Sequence, residues 1–398
     1  MKKLFFFLVS MVAIHANATI LVVKEYGVNA TYSSINAALA AAQNNDTIVV
    51  YDKPSGQAWI ESLTIDKNLT FLHPTEGTRF KAPGQITVVP KAGMDLYFIG
   101  WDLNGNSITA TATNATATSS NRAKITVTDC INVANIDLNV DWIDARIFYN
   151  QTNISGNINF RHGLCVANIC TGIINVIQES TTASQNDSII VIGNKPARIQ
   201  VDTKEAFVVA NNFCTRSNGE TIHGILLYER NNNKPSFCGN NTIYSNYGLL
   251  SRAYNNLKIV NNIIHNISPN YGSIWNDGGG NGLAPFISYN LCRYASAFDV
   301  NNELNYFNVS TTVISSYDTW GRATSGNTSA INMGNYLGEY YDIDLTRNDI
   351  GTYGGPYSID NYISSGTGKG KVLYINIKHQ LTNLNQILDV KASGGSKF

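Results

Sequence analysis

His223-Gly224-Ile225-Leu226-Leu227, Tyr247-Gly248-Leu249-Leu250-Ser251 and Tyr271-Gly272-Ser273-Ile274-Trp275 decide the fold. Their glycines stand 24 residues apart twice running. A second element recurs between them: Asn211-Asn212-Phe213, Asn240-Asn241-Thr242-Ile243, Asn261-Asn262-Ile263-Ile264 and Tyr289-Asn290-Leu291. The asparagine beside the apolar residue steps by 29, 21 and 28 residues. Looser copies stand at Val133-Ala134-Asn135-Ile136 and Val166-Ala167-Asn168-Ile169. A period of roughly 20–30 residues, with short strands and no helical periodicity, is one turn of a β-solenoid. Equivalent residues of successive turns then stack about 4.8 Å apart. The recurrent asparagine suits a tight bend, where it tolerates left-handed backbone, and its amide can bond to the amides above and below. On that basis Asn262→Leu is costly and Asn327→Leu, outside the repeat, is not.

Outward from the repeat, the pattern is short strands split by Asn, Gly, Asp and Ser. Ile20 to Val23 reads as a strand. One convincing helix follows: Ser33 or Ser34 can cap it, and Ile35, Ala38, Leu39 and Ala42 form an apolar face. Asn44-Asn45-Asp46 ends the helix, Thr47 to Tyr51 is a strand, and Thr111 to Asn121 reads as a loop off the coil. The open end of a solenoid exposes a sheet edge, so the helix is expected to plug it. The fold class is therefore all-β: a right-handed parallel β-helix with an N-terminal capping helix.

Residues 1–18 have the order of a signal peptide: Lys2 and Lys3, an apolar run from Leu4 to Ile14, then Ala16-Asn17-Ala18. The run is too short to cross a bilayer as a mature helix, and no other stretch predicts a membrane span. The chain is expected to be exported, to the medium, the cell surface or the periplasm. Residues 19–362 are assigned to the β-helix and 363–398 to a strand-rich tail.

Charged residues make up 14% of the chain, against roughly 25% in average proteins. Setting Lys2 and Lys3 aside leaves 26 basic residues against 28 acidic ones, which is not the balance of a nucleic-acid binder. A polar, uncharged surface suits neutral polymers, and it equally suits a bare solenoid. Cys130, Cys165, Cys170, Cys214, Cys238 and Cys292 do not form a disulfide framework or a zinc pattern; several stand where apolar residues belong and read as small buried hydrophobes, the alternative being one disulfide among them.

Tyr32-Ser-Ser-Ile-Asn-Ala-Ala-Leu39, then Asn45-Asp-Thr-Ile-Val-Val50, resembles the entry segment of the pectin lyase-like superfamily of right-handed parallel β-helices. The two repeats resemble that family's β-helix repeat. Arg347-Asn-Asp-Ile-Gly-Thr-Tyr-Gly-Gly355 resembles a closing segment of exported bacterial β-helix proteins. Members include polysaccharide lyases, hydrolases and adhesins, so a shared fold licenses no activity by itself. The resemblance implies a protein that binds or processes polysaccharide or a cell-surface glycan as a monomer, as a lyase or a glycoside hydrolase if it is an enzyme. The alternative is a non-enzymatic surface scaffold or adhesin. The family's lyases use calcium-binding carboxylates and an Arg or Lys base on one face, so calcium is the cofactor the resemblance implies.

Aligning the three glycine turns puts Tyr228, Arg252 and Asn276 in one column and Glu229, Ala253 and Asp277 in the next. Glu229 and Asp277 are then two turns, about 10 Å, apart, with Arg252 between them. Such carboxylates could hold a hard cation and an acidic sugar while Arg252 removes a proton. The spacing is also loosely that of an inverting glycosidase pair. His223, Tyr247, Tyr271, Trp275 and Arg230 complete the expected substrate surface. A solvated ladder of opposite charges accounts for the same charged residues. Fainter candidates are Arg161-His162 as an earlier turn of the column, the glycine loop from Asp277 to Gly282, and Asp342, Asp344 and Asp349 as a cation site or as turn caps.

Overall fold

The computed structural model describes residues 18–27, 31–75, 78–82, 84–180, 189–215, 223–230, 235–252, 256–270, 272–277, 285–294, 315–342, 344–363, 370–377 and 390–396. A twelve-stranded sheet runs from Ile20–Val23 to Phe286–Ser288, and a ten-stranded sheet from Leu63–Ile65 to Ile274–Asn276. A four-stranded sheet from Phe213–Thr215 to Leu291–Cys292 forms a third side of the later turns. Neighbours in these sheets are parallel and successive around the coil, which makes the chain a parallel β-solenoid.

Side chains alternate in and out along each strand. In the long sheet the inward column runs Ile48, Phe71, Phe98, Val127, Ile147, Cys165, Val191, Val209, Cys238, Ile259, Ile287. Phe71 stacks on Phe98 at 5.9 Å, and Trp101 meets both edge-on. The short sheet adds Cys214, Ile243, Ile264 and Cys292. All six cysteines are buried and free, as the apolar-position reading expects, and burial pushes the Cys130 thiol up to about 12.

The asparagines form one ladder through seven turns: Asn150, Asn168, Asn194, Asn212, Asn241, Asn262 and Asn290. Each Nδ2 donates to the Oδ1 of the next rung at 2.9–3.0 Å. The same Oδ1 accepts the lower rung's backbone N–H, and each Nδ2 also reaches a carbonyl such as Val209 O or Cys238 O. The left-handed residue is not the rung but the residue before it: Tyr149, Ala167, Gly193, Asn211, Asn240, Asn261 and Tyr289 all have φ between 54° and 65°. In an Asn-Asn pair the first residue turns the chain and the second fills the ladder. Asn135 is not a rung; its Oδ1 accepts the Asn157 N–H elsewhere. Asn327 is fully buried, so it is no neutral control; exposed Asn270 serves instead.

The helix is Ile35–Ala41, capped by Ser34 Oγ, with Ile35, Ala38, Leu39 and Ala42 buried in the main core. Glu61 accepts the Ile35 and Asn36 amides and Lys67 donates to the Leu39 and Ala42 carbonyls, so charges of the right sign sit at both helix ends. Gly370–Ile377 and Val390–Ser396 pair as an antiparallel hairpin.

Residues 315–342 and 344–362 form a strap that first follows the coil's advance, from Tyr317 and Thr319 beside Phe213 and Lys195 to Asn335 beside Asn261, and then runs back against it. Asn335 N donates to Asn261 Oδ1, Asn240 Nδ2 donates to Asn348 Oδ1, and Asn211 Nδ2 donates to the Thr352 and Gly354 carbonyls. The outward side chains of the left-handed asparagines thus dock the strap. Tyr362 then covers Phe148, Val166, Ile190, Ile192 and Ala210, which point outward from the long sheet. The Arg347–Gly355 motif lies within this strap, with Asn348, Ile350 and Thr352 buried.

Candidate functional site

The strand His223–Glu229 pairs with Tyr247–Ser251 through His223↔Tyr247, Ile225↔Leu249 and Leu227↔Ser251. The next pairing is Leu249↔Ile274, Leu250↔Trp275 and Ser251↔Asn276. Gly248 therefore lies opposite Ser273, not Gly272, and the 24-residue alignment slips by one residue at the third turn. The reason is local: Gly272 has φ +66° and makes the turn before the strand, while a side chain at Gly248 would strike Ser273 O.

The slip changes the columns. Arg252 now faces Asp277, with Nε to Oδ2 at 2.8 Å, and lies 5.2 Å over the Tyr228 ring. Asn276 joins Leu227 and Ser251 on the inner side. Glu229 does not share this face. It pairs with Thr203, alternates with the core residues Ile225 and Leu227, is 1% exposed, and accepts the Ser236 hydroxyl at 3.1 Å. Glu229 and Asp277 point to opposite sides of the sheet, so the pair does not fit one calcium ion. Among the described residues no group of three or more His, Cys, Asp or Glu side chains is placed to hold a metal.

The charged column extends to earlier turns. Register through Phe160, Val176, Val201 and Leu227 puts Arg161 in line with Asp202, Tyr228, Arg252 and Asp277. Arg161 binds Asp141 at 2.8 Å, and Arg230 grips Asp202 with two nitrogens. Arg252 and Asp277 are 53% and 41% exposed, so their pair is worth little to stability. The sequence alignment already sets Tyr228 beside Arg252; it does not reach Asp202, which lies one turn before the three glycine turns.

The aromatic part of the face is gathered. His223 lies 5.4 Å from the Tyr247 ring and 5.9 Å from the Trp275 ring. Burial, helped by the Arg198 charge, lowers the His223 pKa to about 4, so the imidazole is neutral at pH 7. Trp275 continues an outward column through Gln200, Leu226 and Leu250. Tyr271 and the glycine loop at 278–282 lie outside the described residues.

Asp342 and Asp349 cap backbone. Asp342 accepts the Gly355 amide at 2.6 Å and the Asp349 amide, and Asp349 accepts the Asn332 amide at 2.7 Å. Exposed Asp344 caps Thr346. Burial pushes the Asp342 carboxyl up to about 7, and the neighbouring acids push the same way while the Gly355 amide opposes it. A carboxyl with a folded pKa above its unfolded value costs stability as pH rises. The strap should therefore loosen between about pH 4 and about pH 7 and change no further above that window. Amide exchange of residues 345–356, corrected for intrinsic rates, checks this; Asp342→Asn should flatten the difference, and equal slopes in both proteins would refute it.

The fold defines the class as a parallel β-solenoid with a docked C-terminal strap. Compared with family models, curated proteins and solved structures, the chain matches none. Among the described residues no helix is long and apolar enough to cross a membrane.

Proposed function

We infer that this is an exported β-helix protein of pectin lyase-like type that binds polysaccharide or a cell-surface glycan along its ten-stranded sheet. The observation that carries this reading is the aromatic group His223, Tyr247 and Trp275 beside the Tyr228, Arg252, Asp277 column. Rings supply flat apolar area for sugar C–H faces, and the flanking charges supply hydrogen bonds to hydroxyls. Binding is favoured over lyase or hydrolase chemistry because Arg252 is held by Asp277 and Glu229 is turned into the interior. A second reading, a surface scaffold or adhesin, is favoured by the paired charges along the same column.

One screen separates these readings. Purified protein is offered plant, algal and host glycans while affinity, unsaturated product and new reducing ends are followed. Trp275→Ala and Tyr247→Ala should each weaken binding about tenfold, and Arg252→Ala only a few-fold, with no product formed. Product that disappears in Arg252→Ala would restore the enzyme reading. Binding to no glycan at all would leave the scaffold.

A further inference from the structure

A cleft of about 410 Å³ lies on a different sheet, where the strap crosses the outer face of the long sheet. Phe237 and Lys258 project from neighbouring strands, paired in register, and Glu339, Tyr340 and Tyr357 reach over from the strap. The volume is in the range of small-molecule sites, roughly 300–1,000 Å³. Phe237 and Tyr340 stack at 6.1 Å and 25°. Lys258 Nζ lies 3.3 Å from both Glu339 Oε1 and Tyr340 Oη. Lys258 and Glu339 are about half exposed, at 50% and 48%, so a ligand can reach them.

We propose that this cleft binds a neutral saccharide, one pyranose unit packing on the aromatic wall while adjacent hydroxyls bridge Lys258 and Glu339. The chemistry narrows the ligand class. An anion would meet the Glu339 carboxylate, and a cation would meet the Lys258 ammonium. A purely apolar ligand would strip water from both charges without replacing its hydrogen bonds. A neutral polyol avoids all three costs. Lys258 has a third N–H beyond those directed to Glu339 and Tyr340, and Glu339 has a second oxygen. Together they offer a donor beside an acceptor, the pattern that two neighbouring hydroxyls satisfy. The aromatic rings take the C–H face of the same sugar. This site is independent of the ten-stranded face.

The test uses the full mature chain and calorimetric titration with cellotetraose, maltotetraose and laminaritetraose as neutral probes, and tetragalacturonate and chitosan tetramer as charged ones. At least one neutral tetrasaccharide should bind. Glu339→Gln, which keeps the shape of the side chain, and Phe237→Ala should each weaken that binding about tenfold or more. Trp275→Ala tests the other face: the two variant classes should remove different binding events. The proposal is overturned if no neutral probe binds at millimolar concentration, or if binding survives both cleft variants. Tighter binding of a charged probe that Glu339→Gln alters would overturn the neutral assignment. Loss of the same single event in Trp275→Ala and in both cleft variants would also overturn it, leaving no separate cleft site.

Discussion

Asn262→Leu destabilises the protein by about 3 kcal/mol, while Asn270→Leu changes stability by less than about 0.5 kcal/mol. Asn262 Oδ1 accepts both the backbone amide and the Nδ2 of Asn241, at 3.0 and 2.9 Å. Its own Nδ2 serves Cys238 O, Val260 O and Asn290 Oδ1. Leucine matches the volume and none of the bonds, and it strands two donors of Asn241 in a fully buried place. Each stranded group costs about 1–3 kcal/mol, so the sum, reduced by some local relaxation, is about 3. Chemical denaturation followed by circular dichroism measures the difference. Equal midpoints for the two variants would mean that the ladder carries no weight.

Tyr362→Ala releases the end of the strap at a cost of about 3 kcal/mol. Tyr362 is 6% exposed and packs on Ile190, Ile192, Phe148 and Ala210. A side chain added at Gly193 would meet its ring at 2.4 Å, so the ring lies directly on the coil's bend. The variant should expose residues 345–362 to protease and to amide exchange before any strand of the long sheet loses protection. Simultaneous loss of protection in strap and sheet would show that the two are one cooperative unit, and unchanged protection in both would show that the ring anchors nothing.

The solenoid was legible because its period is written twice, in glycines and in Asn-Asn pairs. The ladder was only partly legible. Asn150 and Asn194 do not show in the repeat because Tyr149 and Gly193 precede them and Gln151 and Lys195 follow, so neither looks like Asn-Asn-apolar. What the backbone demands is a left-handed residue and then an amide, and tyrosine, alanine or glycine meets the first demand. The candidate site was misread at two points. Glycine spacing suggests a 24-residue register that the structure does not keep, because Gly272 serves a turn. The glycine alignment sets Glu229 outward, whereas alternation with Ile225 and Leu227 turns it inward. Arg252, Asp277 and Trp275 were found, and their true neighbours needed the third-turn register. The strap contacts were hardly legible, since Asn211 and Gly354 are 143 residues apart. One local signal did exist: Ile189-Ile-Val-Ile192 and Phe207-Val-Val-Ala210 are apolar on both faces, as strands are where something covers the outside.

A stack whose layers touch only their neighbours comes apart from its ends, one layer at a time. The strap changes that for the later half of this molecule. Tyr336 lies against Tyr289, Asn335 on Asn261, Asn348 on Asn240, Thr352 beside Asn211 and Tyr362 over Gly193. A peptide laid across five layers ties the last to the first, so none of them can leave without loading the others. Under tension along the axis the strapped layers would share the force and yield together, as a rope clamp does, while the layers before Tyr149 would peel singly. The molecule is therefore two materials end to end, one that unravels by degrees and one that holds until it gives way.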